Sequence, residues 1–336
     1  MTWKTQSLRV GGLLAASALL LTACGDGEGN GDSAGEAGEV GSMDAEFITI
    51  AAGGSSGPYY QIGATMSEIL GTELDSDTSV QATGASAENI NMISDGDAEI
   101  AFVMGDAAVQ ATEGTGPFEG NAREDLMAIM TMYPNTVQLV ATAASGIESV
   151  EDLEGRNVAV GDVGSGVELN ARTVLEAHGI TYDDISADYL SYAEATDQMA
   201  NGHIDAAFVT SGLPNPTLTE LGTNTDFIVV PIEGEGAENL LSEHDYFSED
   251  VVPGGTYLQD EDVPTVGVTN HLLVSSELSE DAVYDITAAF FDNLDRLHGS
   301  HSAAQQITLE TVTDGLVVPL HPGAARYFEE QGVELD

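Results

Sequence analysis

The sequence predicts an α/β fold of two lobes, each a mainly parallel sheet flanked by helices. Three observations point there. Strands and helices alternate along the chain, the alternating pattern occurs twice, and each copy opens with a glycine–serine loop between its first strand and first helix. Such alternation implies βαβ units with sheets covered on both faces and ligands at the carboxyl ends of the strands.

The chain begins with a segment of a different kind. Lys4 and Arg9 precede an apolar run of 14 residues, Val10 to Ala23. A bilayer span needs about 20 residues, so 1–23 reads as a signal peptide. It ends in Leu21-Thr22-Ala23-Cys24, which resembles the lipobox of bacterial lipoproteins and makes Cys24, the single cysteine, the expected lipidation site. Residues 24–46 form an acidic, Gly-rich tether: positions 25–46 hold seven Gly and seven Asp or Glu. That composition buries little surface and repels itself.

The folded part starts at Phe47. Phe47 to Ala52 is an apolar, β-branched strand running into Gly53-Gly54-Ser55-Ser56-Gly57-Pro58. Ile62, Met66, Ile69 and Leu70 then mark one helix face, with Pro58 in the first turn and Ser56 or Gly57 at the cap. A second strand, Ser79 to Thr83, leads into a helix over 86–95, and a third, Glu99 to Met104, ends at Gly105. The second copy has a strand at Asn157 to Val160, a loop at Gly161 to Gly166, and a helix face of Val167, Ala171, Val174, Leu175 and His178. A strand at Asp188 to Tyr192, a helix at Ala193 to Asn201 and a strand at Ile204 to Thr210 follow. Gly96-x-x-Glu99-x-Ala101-Phe102-Val103 aligns without a gap on Gly202-x-x-Asp205-x-Ala207-Phe208-Val209.

Met130 to Ala141, interrupted by Pro134, suits the first crossing between lobes, and Val251 to Ser275 suits the return. Lobe 1 is therefore expected over 47–135 plus 266–336, and lobe 2 with the hinge crossings over 136–265. Val283, Ile286, Ala289, Phe290, Asn293 and Leu297 predict one long helix over 278–297, and Pro322 to Gly332 a short final one.

Charge narrows the partners. The chain has 57 Asp plus Glu against 7 Lys plus Arg, a formal charge of −50, with 42% hydrophobic residues. Cleavage before Cys24 would leave five arginines and no lysine, a formal charge of −52. Such a surface repels phosphate backbones and anionic headgroups, so nucleic acid is excluded as a partner and the membrane is reached only through the lipid. Molar salt screens charge beyond about 3 Å, so a saline medium is expected.

The chemistry belongs to the loops. Helix N-termini present free N–H groups, and Gly54-Ser55-Ser56-Gly57 and Gly164-Ser165-Gly166 add close backbone approach and hydroxyl donors. Two such loops face to face suit a small ligand with acidic groups. Tyr59, Tyr60, Tyr133 and Tyr192 are candidates for the cleft wall. Arg172 stands about two turns beyond the second loop and reads as structural, while Arg123 and Arg296 read as solvated. One rival uses the same residues. Gly53-x-Ser55-x-Gly57 matches a nucleophile elbow, with His321 available downstream, which makes a serine hydrolase the alternative. Against it, that elbow normally follows several strands, and here it follows the first. His298-x-x-His301 lacks a third metal ligand, and the Asp-rich stretches at 75–77 and 95–97 lack the pattern of a calcium loop. No metal or cofactor is expected.

These residues together resemble the TAXI-type solute-binding subunits of TRAP transporters, over roughly Phe47 to Val333. The resemblance rests on Gly53-Gly54-x-x-Gly57-x-Tyr59-Tyr60, Thr83-x-x-Ser86-x-Glu88-Asn89 and Gly155-Arg156-x-Val158-Ala159-Val160-Gly161 leading to Gly164-Ser165-Gly166. Gly202-x-Ile204-Asp205-Ala206, Gly212-x-Pro214, Val283-Tyr284-x-Ile286-Thr287 and Pro319-Leu320-His321-Pro322-Gly323-Ala324 complete it. It implies a two-lobed, type II-like periplasmic-binding-protein fold and no enzyme activity. The implied protein is a monomer outside the cytoplasmic membrane. It closes on a small organic anion, such as a dicarboxylate, a 2-oxo acid or an acidic amino acid like glutamate, and delivers it to the TRAP membrane subunits, an ion-coupled permease. A ligand-sensing lipoprotein serving a membrane kinase would share the fold. By position, the implied ligand contacts are Gly54, Ser55, Ser56, Tyr59, Ser86, Asn89, Ser165, Gly166, Ser211 and Gly212. Two departures bear on specificity: Val167 stands where many members have Thr, and Gln138 where a basic residue would be unsurprising.

Overall fold

The structure is a computed structural model that describes residues 47–335. The signal segment, Cys24 and the tether lie outside the described residues. Two sheets organise the rest. The first has the order β2-β1-β3-β12-β4, from β1 (Phe47–Ala51), β2 (Asp77–Gln81), β3 (Ile100–Met104), β4 (Leu126–Thr131) and β12 (Asn270–Ser275). The second has the order β10-β11-β5-β8-β6-β7, with β9 also paired to β5. Its strands are β5 (Asn135–Thr142), β6 (Asn157–Ala159), β7 (Ser186–Asp188), β8 (Ala206–Ser211), β9 (Phe227–Val230), β10 (Phe247–Val252) and β11 (Val263–Val268).

The expected βαβ units are present: β1 pairs in parallel with β2 and β3, and β6 with β7 and β8. Each sheet as a whole is mixed rather than mainly parallel. The crossing strands enter from the other half and run antiparallel, β12 against β3 and β4, and β5 against β8, β9 and β11. The return crossing lies between Val268 and Asn270, so the expected boundary at 265/266 falls inside β11.

The repeat has a physical basis at its third strands. In each copy a glycine with φ near +75°, Gly96 (77°) or Gly202 (73°), ends the preceding helical turn, a backbone state that suits glycine. Three residues on, an acid returns to the first strand of its own unit. Glu99 Oε2 accepts from Thr49 N at 2.6 Å, and Asp205 Oδ2 accepts from Asn157 N at 2.9 Å.

Helices α1 (Pro58–Glu73), α2 (Ser86–Asp95) and α3 (Gly105–Glu113) follow β1, β2 and β3, while α4 (Gly166–Ala177), α5 (Tyr192–Ala200) and α6 (Pro216–Leu221) follow β6, β7 and β8. After β9 comes α7 (Gly234–Glu243), and after β12 come α8 (Glu280–Asp292), α9 (Leu294–His298) and α10 (Pro322–Glu330). Of the predicted face, Val283, Ile286, Ala289, Phe290 and Leu297 are buried in one core with Ile50, Phe102 and Ile129 of the first sheet and Ile62 of α1. The chain thus completes its first lobe with its last segment. A separate core of Val158, Val174, Phe208 and Val266 fills the second.

β8 starts two residues later than expected, at Ala206, and other elements depart from expectation as well. β2 starts and ends two residues early. The strand expected at 188–192 is shorter and earlier, because Ser191 and Glu194 form a reciprocal capping box that starts α5 at Tyr192. The long helix over 278–297 breaks at Asn293, whose φ is −116° and whose side-chain amide donates to Ala289 O at 3.0 Å, a local bond that competes with helix continuation.

Candidate functional site

A cavity lies where the carboxyl ends of both parallel units converge. The loop after β1 brings Gly53, Gly54, Ser56 and Gly57 to its wall, the loop after β2 brings Gly84 and Ala85, and β3 ends there at Met104. From the second half come Gly161, Asp162 and Ser165 after β6, Leu190 and Ser191 after β7, and Thr210 and Ser211 at the end of β8. Pro58, Tyr59, Val167 and Tyr192 complete the lining. The space open to the centre of a water-sized sphere is about 50 Å³. One water needs about 10–15 Å³ on that measure, so the cavity suits a ligand of few heavy atoms.

Local sequence explains how the walls are held. Gly57 caps α1 and Pro58 occupies its first turn, while Gly57 N donates to Gly54 O at 2.9 Å to close the loop. Ser165 caps α4 by accepting from Glu168 N at 3.1 Å. Ala85 caps α2 with φ 73° and ψ −145°, a strained state for a residue with a Cβ, held at the cavity edge. Tyr59 is fixed from below: its hydroxyl donates to Asn270 Oδ1 at 2.9 Å and accepts from Asn135 Nδ2 at 2.5 Å. Tyr192 OH donates to Thr210 O at 2.7 Å. Burial raises the Tyr59 and Tyr192 hydroxyls well above the ordinary range, so both are neutral walls.

The two halves are in contact beside the cavity. Asn170 Nδ2 of α4 donates to Asp106 Oδ2 of α3 at 2.7 Å, both residues being buried. Ala87 N donates to Gly164 O at 3.3 Å.

Of the ten positions singled out from sequence, Gly54, Ser56, Tyr59, Ser165 and Ser211 line the cavity. The other five stand elsewhere. Ser55 is exposed at the loop tip. Ser86 Oγ accepts from Met104 N at 3.2 Å and so holds β3 to α2. Asn89 donates to Ala52 O at 2.6 Å and to Phe102 O at 2.8 Å and accepts from Thr83, all within the first lobe. Gly166 lies under the contact with Met104 and Ser86, and Gly212 lies against Ala303 and Tyr133. Met104, Asp162, Leu190 and Thr210 were not singled out. Asp162 lies in the second loop itself, whereas Leu190 was hidden in a strand pattern.

Other sequence candidates have structural occupations. Gln138 is buried, its amide donating to Ser211 Oγ at 3.2 Å and its carbonyl accepting from Tyr257 OH at 2.5 Å. Tyr133 is a core residue, 1% exposed. Arg172 pairs with Glu168 at 2.6 Å and lies 4.3 Å over the Tyr182 ring. Arg123, expected to be solvated, instead lies largely buried and donates to Asn91 Oδ1 at 2.6 Å. Both ring nitrogens of His321 are engaged, Nδ1 by Gly323 N at 3.1 Å and Nε2 with Leu278 O at 3.3 Å, so it has no nitrogen free for Ser55. His298 Nε2 contacts Ile307 O at 2.9 Å, and His301 caps a 3-10 turn through Ala303 N at 3.1 Å.

Comparison with known proteins agrees with this architecture. The sequence pattern of the NMT1-like family matches residues 50–332. Among solved structures, PhnD1 from Prochlorococcus marinus, in complex with methylphosphonate, is 12% identical, with 78% of this chain and 89% of that one covered and a TM-score of 0.50. The periplasmic aliphatic sulphonate binding protein SsuA from Escherichia coli is 14% identical, with 84% and 83% covered and a TM-score of 0.44. A putative L-cystine transporter of the ABC class from Listeria monocytogenes is 13% identical, with 78% and 98% covered and a TM-score of 0.48. At 12% identity the likeness to PhnD1 is one of fold alone. With a match running through nearly every described element, the chain belongs to the NMT1-like family.

Proposed function

We propose that this protein is an extracytoplasmic solute-binding protein that closes on a small organic acid and hands it to a membrane permease of the TRAP type. The observation that carries the reading is the small cavity between the halves, walled by the glycine–serine loops at the starts of α1 and α4. Binding rests on backbone N–H groups and on the hydroxyls of Ser56 and Ser165, since among the described residues no Lys, Arg or His lines the cavity and the Ser211 hydroxyl already donates to Gly212 O. The TRAP assignment follows the sequence resemblance. Cys24 and the acidic tether then supply a lipid anchor and a solvated spacer, and the acidic surface suits a saline medium.

Thermal-shift screening in molar NaCl tests the reading, with dicarboxylates, 2-oxo acids and amino acids as probes. A ligand that binds only the folded state adds about 2.7 kcal/mol at 100 times its Kd, so a true ligand raises the melting temperature without being turned over. The double variant Ser56→Ala/Ser165→Ala should weaken that ligand by about tenfold or more, the scale of hydrogen bonds to a charged group. Ester turnover that disappears in Ser55→Ala, with no ligand-dependent shift, would replace the reading by the hydrolase alternative.

A further inference from the structure

The charge on the cavity wall has a consequence for what enters. Asp162 is the one charged side chain among the described residues lining the cavity. Its main-chain carbonyl accepts from Ser165 N at 3.0 Å, whereas its carboxylate has no hydrogen bond or ion pair among the described residues. Burial first, then the carboxylates of Glu194 and Glu88, raise the Asp162 carboxyl above its ordinary range. Those two neighbours are committed elsewhere: Glu194 accepts from Ser191 N and Oγ at 3.1 and 2.7 Å, and Glu88 from Gly84 N at 2.7 Å. All three add negative potential at the cavity, and only Asp162 offers a carboxylate to it.

We propose that Asp162 is a specificity-determining residue that selects ligands carrying an ammonium group, so that the cavity takes an α-amino acid. This rests on the solute-binding reading above and narrows it. The ammonium faces Asp162 and the α-carboxylate lies on the glycine–serine loops. A dicarboxylate or 2-oxo acid would set like charges against Asp162 in a small space with no cation beside it, and attraction or repulsion there is much stronger than in water. The aromatic faces of Tyr59 and Tyr192 are compatible with a nearby cation.

The test uses pairs that differ only in the ammonium group, L-alanine with L-lactate and L-glutamate with 2-oxoglutarate, titrated calorimetrically in molar NaCl. The wild-type protein should bind the amino acid of at least one pair about tenfold or more tighter than its partner, the scale of a charge-assisted hydrogen bond. In Asp162→Asn that preference should collapse, with the amino acid weakened and the hydroxy or oxo acid unchanged or tightened. Asp162→Glu, which keeps the charge, should retain the preference and shows that the loop still folds. Equal or tighter binding of the oxo or hydroxy acids by the wild type, or an unchanged preference in Asp162→Asn, overturns the proposal and leaves the solute-binding reading standing. If neither these compounds nor dicarboxylates bind the wild type, the broader reading falls and this one with it.

Discussion

Asp106 stands in the first turn of α3 with 1% of its surface exposed. Burial pushes its carboxyl up to about 7, although the N–H of Ala107, its own N–H and the Asn170 amide pull the other way. In an unfolded chain an Asp titrates near 3.9. Between those values the folded protein keeps a proton that the unfolded chain has released, so this residue's contribution to stability is full below about pH 4. It is lost as pH rises toward 7, at up to about 1.4 kcal/mol per pH unit. Asp106→Asn imitates the neutral acid, so its melting temperature should gain on the wild type from pH 4 to 7 and keep a constant lead above that. Calorimetry in molar salt across pH 4–8 reads this, and parallel curves would show that Asp106 does not titrate there. The family resemblance implies Asn89 as a ligand contact, through its place in Thr83-x-x-Ser86-x-Glu88-Asn89. Its role is to hold two strand carbonyls, Ala52 and Phe102, 37 and 13 residues away, which spacing alone does not reveal.

α4 shows what an element decides. Its start meets the first lobe so closely that a Cβ on Gly166 would lie 2.6 Å from Met104 Sδ and 2.8 Å from Ser86 Oγ. Overpacking of this kind costs about 1–3 kcal/mol, and here the strain falls on the contact between halves. Gly166→Ala should therefore weaken ligand binding by about five- to hundredfold while changing the melting temperature of the ligand-free protein little. Titration calorimetry checks the affinity, and small-angle scattering should show a larger radius of gyration. Undiminished affinity would mean that closure does not bring these residues together. Element starts were legible where a cap or proline marks them, as at Pro58 for α1 and Pro322 for α10. They were misplaced where β-favouring residues precede a cap. Tyr189-Leu190 look like strand, yet the Ser191–Glu194 box fixes the backbone of α5 just after them.

The whole molecule is dominated by unbalanced charge. Among the described residues Arg123, Arg172, Arg296 and Arg326 each pair with at least one acid, so few cations remain for the other acids. Self-repulsion on this scale weakens the compact state, and salt relieves it. The melting temperature should rise steadily from low salt to molar NaCl. A flat response would show that the surface is not tuned to brine. By itself the sequence determined the two βαβ units, their glycine–serine loops and the net charge, because each depends on neighbours a few residues apart or on composition alone. Which residues face the ligand was decided by tertiary structure. Tyr59 is set by Asn270, 211 residues away, and Asp162 gains its place on the wall only when loops from both halves converge. No local periodicity encodes that meeting, because it depends on how two halves, joined by the crossing strands β5 and β12, come together through α3, α4 and the loops beside them.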